Sequence, residues 1–415
     1  MTIAEHTGQS AMQSVDGYLS DVLAAIRPLA PRELGLDEAD GGVLTEDVTA
    51  GQALPPFDNS GMDGYAVVAA DVAAATPERP VTLPVRGEVA AGDTGRHEVA
   101  PGTCIKIMTG ALVPAGADAV VPVEWTDGGA AGGQVSIARP AQPGNAIRRT
   151  GGDAVAGDVL LTAGTRLGPV QLGLLAAAGH GTVTARPRPR VTVISTGNEL
   201  AEPGQPVSPG QIWESNSRML AAAARQAGYP ARRHPVVPDR KAAVLAALEG
   251  ALADADLLVT TGGVSMGGEH DVVKAALHDL GTVSFRKVAM QPGMPQGFGV
   301  VGTAGTPIFT LPGNPVSAYV SFQLFVRPAA SVLQDLPPQR LASGRATLAG
   351  PVRSPRHRRS FLRGILDRAA GTVAPVTGQA SHQLASLARA NALIVVTESV
   401  TELPEGSDVE VLMLP

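Results

Sequence analysis

The sequence is poor in the residues that several large classes of protein depend on. It has a single cysteine, Cys104, among 415 residues. One thiol excludes an internal disulfide and a thiolate metal cluster, and its apolar neighbours read as a core strand. Aromatic residues make up only 3%, which argues against a surface built to stack nucleic-acid bases. Lysine is scarce: four of the 32 basic residues are lysine, against 28 arginines. Net charge is −6 and the pI about 5.8, so there is no basic footprint for nucleic acid. No run reaches the ~18 apolar residues of a membrane span. The N-terminus, with Glu5 and Asp16 and no apolar stretch between, does not read as a signal peptide. A reduced cytoplasm, with no membrane and no nucleic acid as partner, is the expected setting.

What is present is a large globular chain. Apolar residues reach 44% and charged residues 17%, and the length corresponds to about three domains of ~150 residues. The 49 glycines and 34 prolines favour turns and strands over long helices. Ser14 can cap a helix that places Val15, Leu19, Val22, Leu23 and Ile26 on one stripe, and Pro28 and Pro31 end it. From about 80 to 165 short alternating strands dominate, and no helical period exceeds two turns. After Arg190 strands alternate with helices: RVTVISTG, a helix from Glu214, ARRHPVV, a helix that Asp239 can cap, a central strand, TVSFRKVAM, TPIFTLP and a helix from Asn314 to Leu333. That alternation predicts a doubly wound, mostly parallel sheet. From 336 the texture is β again, as in a small C-terminal barrel or sandwich. The fold class is therefore multidomain α/β plus β.

The organising stretch is ADLLVTTGGVSMGGEHD, Ala255 to Asp271. A buried strand ends in a loop with Gly262, Gly263 and Ser265, and Asp271 opens the next helix. A strand feeding a glycine-rich loop and a helix presents backbone N–H groups to an anion. The loop fits neither GxxxxGK[ST] nor GxGxxG. In such a sheet ligands sit at the carboxyl ends of strands, which singles out STGNEL (195–200), the central loop (260–271) and LPGNPVS (311–317).

Carboxylates gather at these turns: Asp58 and Asp63 in FDNSGMDGY, Asp153 in RRTGGD, Glu199 in STGNEL, then Asp239 and Asp271. They can hold Mg²⁺, move protons or bind ligand hydroxyls; turn formation and helix capping are the bland alternative. Glutamate is no turn former, so Glu199 stands out. Lys106, Lys274 and Lys287 lie beside the loops, where a compact cation suits an oxyanion. The Arg353–Arg363 stretch is a basic surface that can also reach phosphate. Nucleophilic catalysis has little support, because Ser195 and Ser265 have no evident histidine partner and no GxSxG elbow exists.

Taken together, PPFDNSGMDGYA, IMTGA, RRTGGD, STGNEL, GGVSMG, the Pro-Gly at 292–293 and LPGNPVS, in this order, resemble the molybdopterin molybdenumtransferases. This is the MoeA family, which includes the C-terminal domain of gephyrin, and the resemblance covers the chain from Val15 to its last strands. It implies an elongated homodimer of four-domain subunits: a discontinuous connecting domain (14–50 and 150–180), an inserted β domain (51–149), an α/β molybdopterin-binding domain (181–335) and a C-terminal β-barrel (336–415). The implied chemistry inserts molybdate into adenylylated molybdopterin, releases AMP and uses Mg²⁺. The upstream adenylyltransferase and acceptor molybdoenzymes are implied partners. Catalytic roles are implied for Asp63, Glu199, Asp239 and Asp271, with Glu199 and Asp239 as magnesium ligands. Substrate contacts are implied for Thr109, Asp153, Gly262, Gly263, Ser265, Lys287, Pro312, Pro315, Arg363 and Ser381. The match departs at Gln291 and Met294, where family members often carry lysine, and at a Gly268-Glu269 insertion. A related adenylyltransferase and a non-catalytic dimeric scaffold are the competing readings. The first usually carries GGTG where Val264-Ser265-Met266 stands here and lacks the β modules; the second has no need of Glu199 or Asp271.

Overall fold

The computed structural model describes residues 12–129, 132–262, 272–278 and 283–415. The chain separates into two compact units. One holds Glu33–Asp40 and Leu44–Thr184; the other holds the N-terminal segment to Arg32, Gly41–Val43 and Ala185–Pro415. Gly263, Ser265 and Asp271 lie outside the described residues.

In the second of these units the chain begins with helix α1 (Val15–Ala25). Ser14 accepts a hydrogen bond from the Gly17 N–H and caps it, and Val15, Tyr18, Leu19 and Val22 form its buried face. The other unit carries an all-β sheet: β1 (Gly64–Val67), β2 (Val81–Val89), β3 (Cys104–Ile107), β4 (Ala119–Pro122) and β5 (Gln134–Ile137), in the order β4-β1-β3-β2-β5. Successive side chains feed opposite cores. Tyr65, Val67, Cys104 and Val121 pack on one side, and Ala66, Ile105, Ile107 and Val120 on the other. This period of two buries both faces. Cys104 is fully buried there, and burial pushes its thiol up to about 12. Helix α2 (Pro169–Ala177) belongs to the same unit.

The α/β sheet comprises β6 (Val191–Ser195), β7 (Ala231–Arg233), β8 (Leu257–Thr261), β9 (Val283–Lys287), β10 (Pro295–Val301) and β11 (Thr306–Leu311), ordered β7-β6-β8-β11-β10-β9. β7, β6, β8 and β11 run parallel; β10 is antiparallel to both neighbours. Alternation again divides the apolar residues. Val191, Val193, Leu257, Val259, Phe309 and Leu311 join a core with α1, α3 (Asn216–Gln226) and α6 (Pro315–Leu333). Ile194, Leu258 and Ile308 join another with α4 (Lys241–Leu252) and α5 (Val272–His278). Each fully buried Val, Leu, Ile or Phe contributes about 1.5–3 kcal/mol. The expected doubly wound sheet is present, with one strand unforeseen. In β10 the run QGFGV carries two glycines that hide its strand character. Gly297 is needed because a Cβ there would stand 2.8 Å from the Phe285 ring and 2.9 Å from Thr310 Cβ. Helix α6 is long and apolar enough to cross a membrane, but 78% of it is buried in the protein.

Beyond α6 five strands close a barrel: β12 (Ser343–Leu348), β13 (Arg359–Asp367), β14 (Thr372–Pro375), β15 (Ala392–Val396) and β16 (Asp408–Met413). β12 pairs with β14 and β16, and β13 with β14 and β15, while β15 to β16 completes the ring. Alternate residues such as Leu362, Val373, Ile394 and Val411 fill it. A short helix, α7 (Leu384–Arg389), follows the 376–383 segment.

Candidate functional site

The carboxyl ends of β6, β8 and β11 open onto a cavity of about 320 Å³, lined among others by Thr196, Glu199, Trp213, Asn216, Gly262 and Pro315. The loops around it are tied together. Thr261 Oγ1 donates to the Pro312 carbonyl at 3.2 Å. Asn216 Nδ2 donates to Thr261 Oγ1 (3.0 Å) and to the Gly313 carbonyl (2.6 Å). The tips of β8 and β11 and the start of α3 are thus joined by two side chains, Thr261 at the end of its strand and Asn216 at the start of its helix. Gly262 has φ +93°, and a Cβ there would stand 2.6 Å from the Thr196 carbonyl oxygen. Only glycine meets both conditions.

Beneath the cavity lies Glu214, 1% exposed. It accepts hydrogen bonds from Ser195 Oγ (2.8 Å), the Ser217 N–H (2.6 Å) and Ser217 Oγ (2.8 Å). Arg218 and Arg233 approach it at 3.3 and 3.6 Å and also pair with Glu202; Arg218 holds the Glu202 carboxyl below the usual carboxylate range. A buried carboxylate satisfied on this scale fixes the end of β6 against the start of α3.

Asp239 does not cap α4. Position 240 is the cap residue, and no side chain caps that helix. The Asp239 carboxylate instead accepts from the Asn198 N–H at 3.2 Å, while the Asp239 N–H donates to Asn198 Oδ1 at 3.1 Å. Asp239 is therefore clamped to the residue preceding Glu199. Asn314 holds the cap position of α6, but its side chain donates to Ser381 Oγ at 2.9 Å. Ser381 also accepts the Val316 N–H, which brings the barrel segment over the cavity, with His382 and Leu384 in its lining.

Arg363 is fully buried. Its guanidinium donates to the carbonyls of Gly378 (2.8 Å) and Ala380 (3.0 Å) and to Ser386 Oγ (3.3 Å), and burial lowers its pKa. It holds the segment that carries Ser381. Lys287 is exposed on β9, two strands from β11, and is not part of the cavity lining. At Gln291, where a family lysine was expected, Arg358 Nη1 approaches the amide oxygen at 3.3 Å.

Three further candidates lie in the other unit. Asp63 and Thr109 bond to each other: the Thr109 N–H and Oγ1 both donate to Asp63 Oδ1 at 2.7 Å. Asp153 is exposed, and its N–H donates to the Leu54 carbonyl. Asp58 forms a second latch, accepting from the Thr150 N–H and hydroxyl and from Arg149.

Three family models cover most of the sequence: the MoeA N-terminal region, its domains I and II, at 13–179; a probable molybdopterin-binding domain at 192–331; and the MoeA C-terminal region, domain IV, at 345–414. Molybdopterin molybdenumtransferase 2 of Mycobacterium tuberculosis is 48% identical over 407 residues, spanning 96% of this chain and 99% of the relative. The chain belongs to the molybdopterin molybdenumtransferase (MoeA) family. The family enzyme of Bacillus subtilis is 37% identical over 388 residues, 92% of this chain and 89% of that one. A crystal structure of the MoeA molybdopterin biosynthesis protein of Pyrococcus horikoshii superposes with a TM-score of 0.73 at 32% identity, covering 97% and 99% of the two chains. Against this MoeA framework, Glu199, Gly262 and Pro315 line one cavity, while Asp239, Pro312, Arg363 and Ser381 brace its walls. Glu214, Asn216 and Trp213 were not among the expected site residues, although WESN at the strand-to-helix passage carries them in four consecutive positions.

Proposed function

We propose that the chain acts in molybdenum cofactor biosynthesis as a molybdopterin molybdenumtransferase, inserting molybdate into adenylylated molybdopterin with release of AMP. The observation that carries the reading is the convergence of three strand tips on one cavity with the Glu199 carboxylate in its wall. The full-length relatives, all named for this transfer, support it, and they do not favour the adenylyltransferase alternative.

The chemistry follows from the parts. The substrate's phosphates and molybdate are anions. The Gly262 turn allows close backbone approach, and the N-terminus of α6 adds partial positive charge. Insertion exchanges molybdate oxygens for dithiolene sulfurs, and each departing oxygen needs protons. The thiols give up their protons as they bond the metal, and Glu199 is the group placed to relay them to the departing oxygen, while Asp239, through Asn198, sets its loop. Asn314 and Ser381 close the wall opposite.

Among the described residues no group of three or more histidine, cysteine or acidic side chains is placed to hold a metal ion. The Glu199 and Asp239 carboxylates nonetheless offer the hard oxygen donors that suit Mg²⁺, an ion that keeps several of its own waters. They would hold it, and it would supply charge neutralisation at the pyrophosphate. A homodimer, delivery by an adenylyltransferase, transfer to acceptor molybdoenzymes and a cytoplasmic setting complete the proposal, as does substrate contact by Asp63, Thr109, Asp153 and Lys287.

The test offers purified protein adenylylated molybdopterin, molybdate and Mg²⁺ and follows AMP. Molybdate-dependent AMP release is expected. Pterin adenylylation from ATP would favour the related adenylyltransferase, and absence of both activities would leave a scaffold. Glu199→Gln is expected to lower the rate about 100-fold, the usual scale for a proton-transfer group. Its thermal unfolding should not change, because the side chain is exposed. Wild-type turnover in this variant would remove Glu199 from the chemistry.

A further inference from the structure

In a chain with 3% aromatic residues, an indole left in solvent stands out. Trp213 is 54% exposed and Ile212 beside it 58%, yet Trp213 forms part of the cavity lining together with Glu199, Asn216 and His382. Its orientation is set: the indole N–H donates to the Gln205 carbonyl at 2.8 Å. With the polar edge bonded, the ring face remains available. The ring is also coupled to the reacting wall. Ile212–Trp213 forms a two-residue parallel ladder with Leu200–Ala201, and the Ile212 N–H donates to the Glu199 carbonyl at 2.8 Å. The other tryptophan, Trp125, faces the Arg139 guanidinium, 6.0 Å from its ring centroid, in the inserted β module. The other ring in the lining, the His382 imidazole, is smaller and polar; among the described lining residues only Trp213 offers a broad apolar face.

We infer that Trp213 is a stacking platform for a planar nitrogen heterobicycle of the substrate, either the pterin or the adenine of its adenylyl group. The inference rests on the function proposed above and adds the subsite that orients the ring. Stacking holds a flat ring by its face with little demand on hydrogen-bond register. It would therefore keep the ring in place while the loop that carries Glu199 acts on the phosphate or metal end.

Two single-tryptophan proteins test it. Trp125→Phe retains Trp213, and Trp213→Phe retains Trp125 as a control for absorption by the ligand. Each is titrated with AMP and, separately, with neopterin, and indole emission is followed. Saturable quenching in Trp125→Phe, absent from Trp213→Phe, is expected. Quenching by AMP assigns the adenine, and quenching by neopterin assigns the pterin. In the AMP-release assay Trp213→Ala should raise KM about tenfold, on the scale of base–aromatic stacking, and Trp213→Phe should recover most of it.

Absence of saturable quenching by either ring overturns the inference. So does a KM for Trp213→Ala within error of wild type, or an emission that responds to protein concentration alone, which would place the indole between two copies of the chain. If wild-type protein releases no AMP, the functional reading fails separately, and the emission titrations decide the platform.

Discussion

At the carboxyl edge of the α/β sheet, polar side chains are buried and bonded to one another; in the inserted β module, the comparable side chains stand in solvent and bond between the ends of paired strands. Glu214 is 1% exposed and serves Ser195, Ser217 and two arginines. Asp63 is open to water, and among the hydrogen bonds described its carboxylate accepts only from Thr109. Both arrangements fix a loop, but by different physics. In the buried case removal of one partner strands the others without water, so the network is cooperative and costly to break. In the exposed case water replaces whatever is lost, and the latch sets geometry more than stability.

The comparison breaks most directly at Glu214. Glu214→Leu removes the acceptor for two serines, and leaves Arg218 with Glu202 and Arg233 with Glu202 and Ser217 Oγ. The expected cost is about 3 kcal/mol, the upper end of the scale for buried donors left without an acceptor, because the half-exposed arginines keep Glu202 and strand no buried charge. Denaturant unfolding followed by far-UV circular dichroism would report it, and Glu214→Gln should cost less because it keeps an acceptor oxygen. An unfolding midpoint in Glu214→Leu equal to that of wild type would mean that burial confers nothing there. Gly262→Ala comes next. Its backbone sits at φ +93°, and the new Cβ meets the Thr196 carbonyl, so about 1–3 kcal/mol of strain is expected. AMP release should fall more steeply than stability, since the loop has to shift away from the Thr196 carbonyl. Equal losses in the two would put Gly262 on the side of packing and remove it from the ligand surface.

How far the sequence anticipated these regions depends on the range over which each interaction acts. The strands of the sheet and barrel were legible because period-two alternation is local, and the apolar runs around Leu258, Phe309 and Ile394 are unbroken. The β10 strand was not legible, because its glycines answer to Phe285 and Thr310 on neighbouring strands. The three loops could be placed at strand ends from sequence, and Glu199 and Gly262 do meet at one cavity. Asp239 looked like a helix cap because Asp before a helix commonly is one; its real partner, Asn198, lies 41 residues away. Glu214 carried little local sign of burial: Ser217 and Arg218 lie three and four residues on, but Ser195 and Arg233 reach it from β6 and β7. The Asp63–Thr109 pair spans 46 residues, so the motifs flagged each residue and only the fold joined them.

The smallest expected effect lies in that exposed pair. Two hydrogen bonds from Thr109, the backbone N–H first and the hydroxyl second, hold the Asp63 carboxyl below its ordinary value. A carboxyl with a depressed folded pKa contributes stability that is fully present above its unfolded value and is lost as the pH falls through its folded value. At neutral pH the latch is therefore complete, and its loss belongs to the acid side of the ordinary carboxylate pKa, about 3.9. Thr109→Val removes the hydroxyl and keeps the N–H, so Asp63 should titrate closer to that ordinary value without reaching it. A carboxyl-carbon NMR titration of aspartate-labelled protein reads the shift directly. Neutral-pH unfolding should barely change, in contrast with Glu214→Leu. If Asp63 titrates identically in wild type and Thr109→Val, the hydroxyl bond is not what depresses the carboxyl; if neutral-pH stability falls as far as in Glu214→Leu, the division between a buried network and a solvent-exposed latch does not hold.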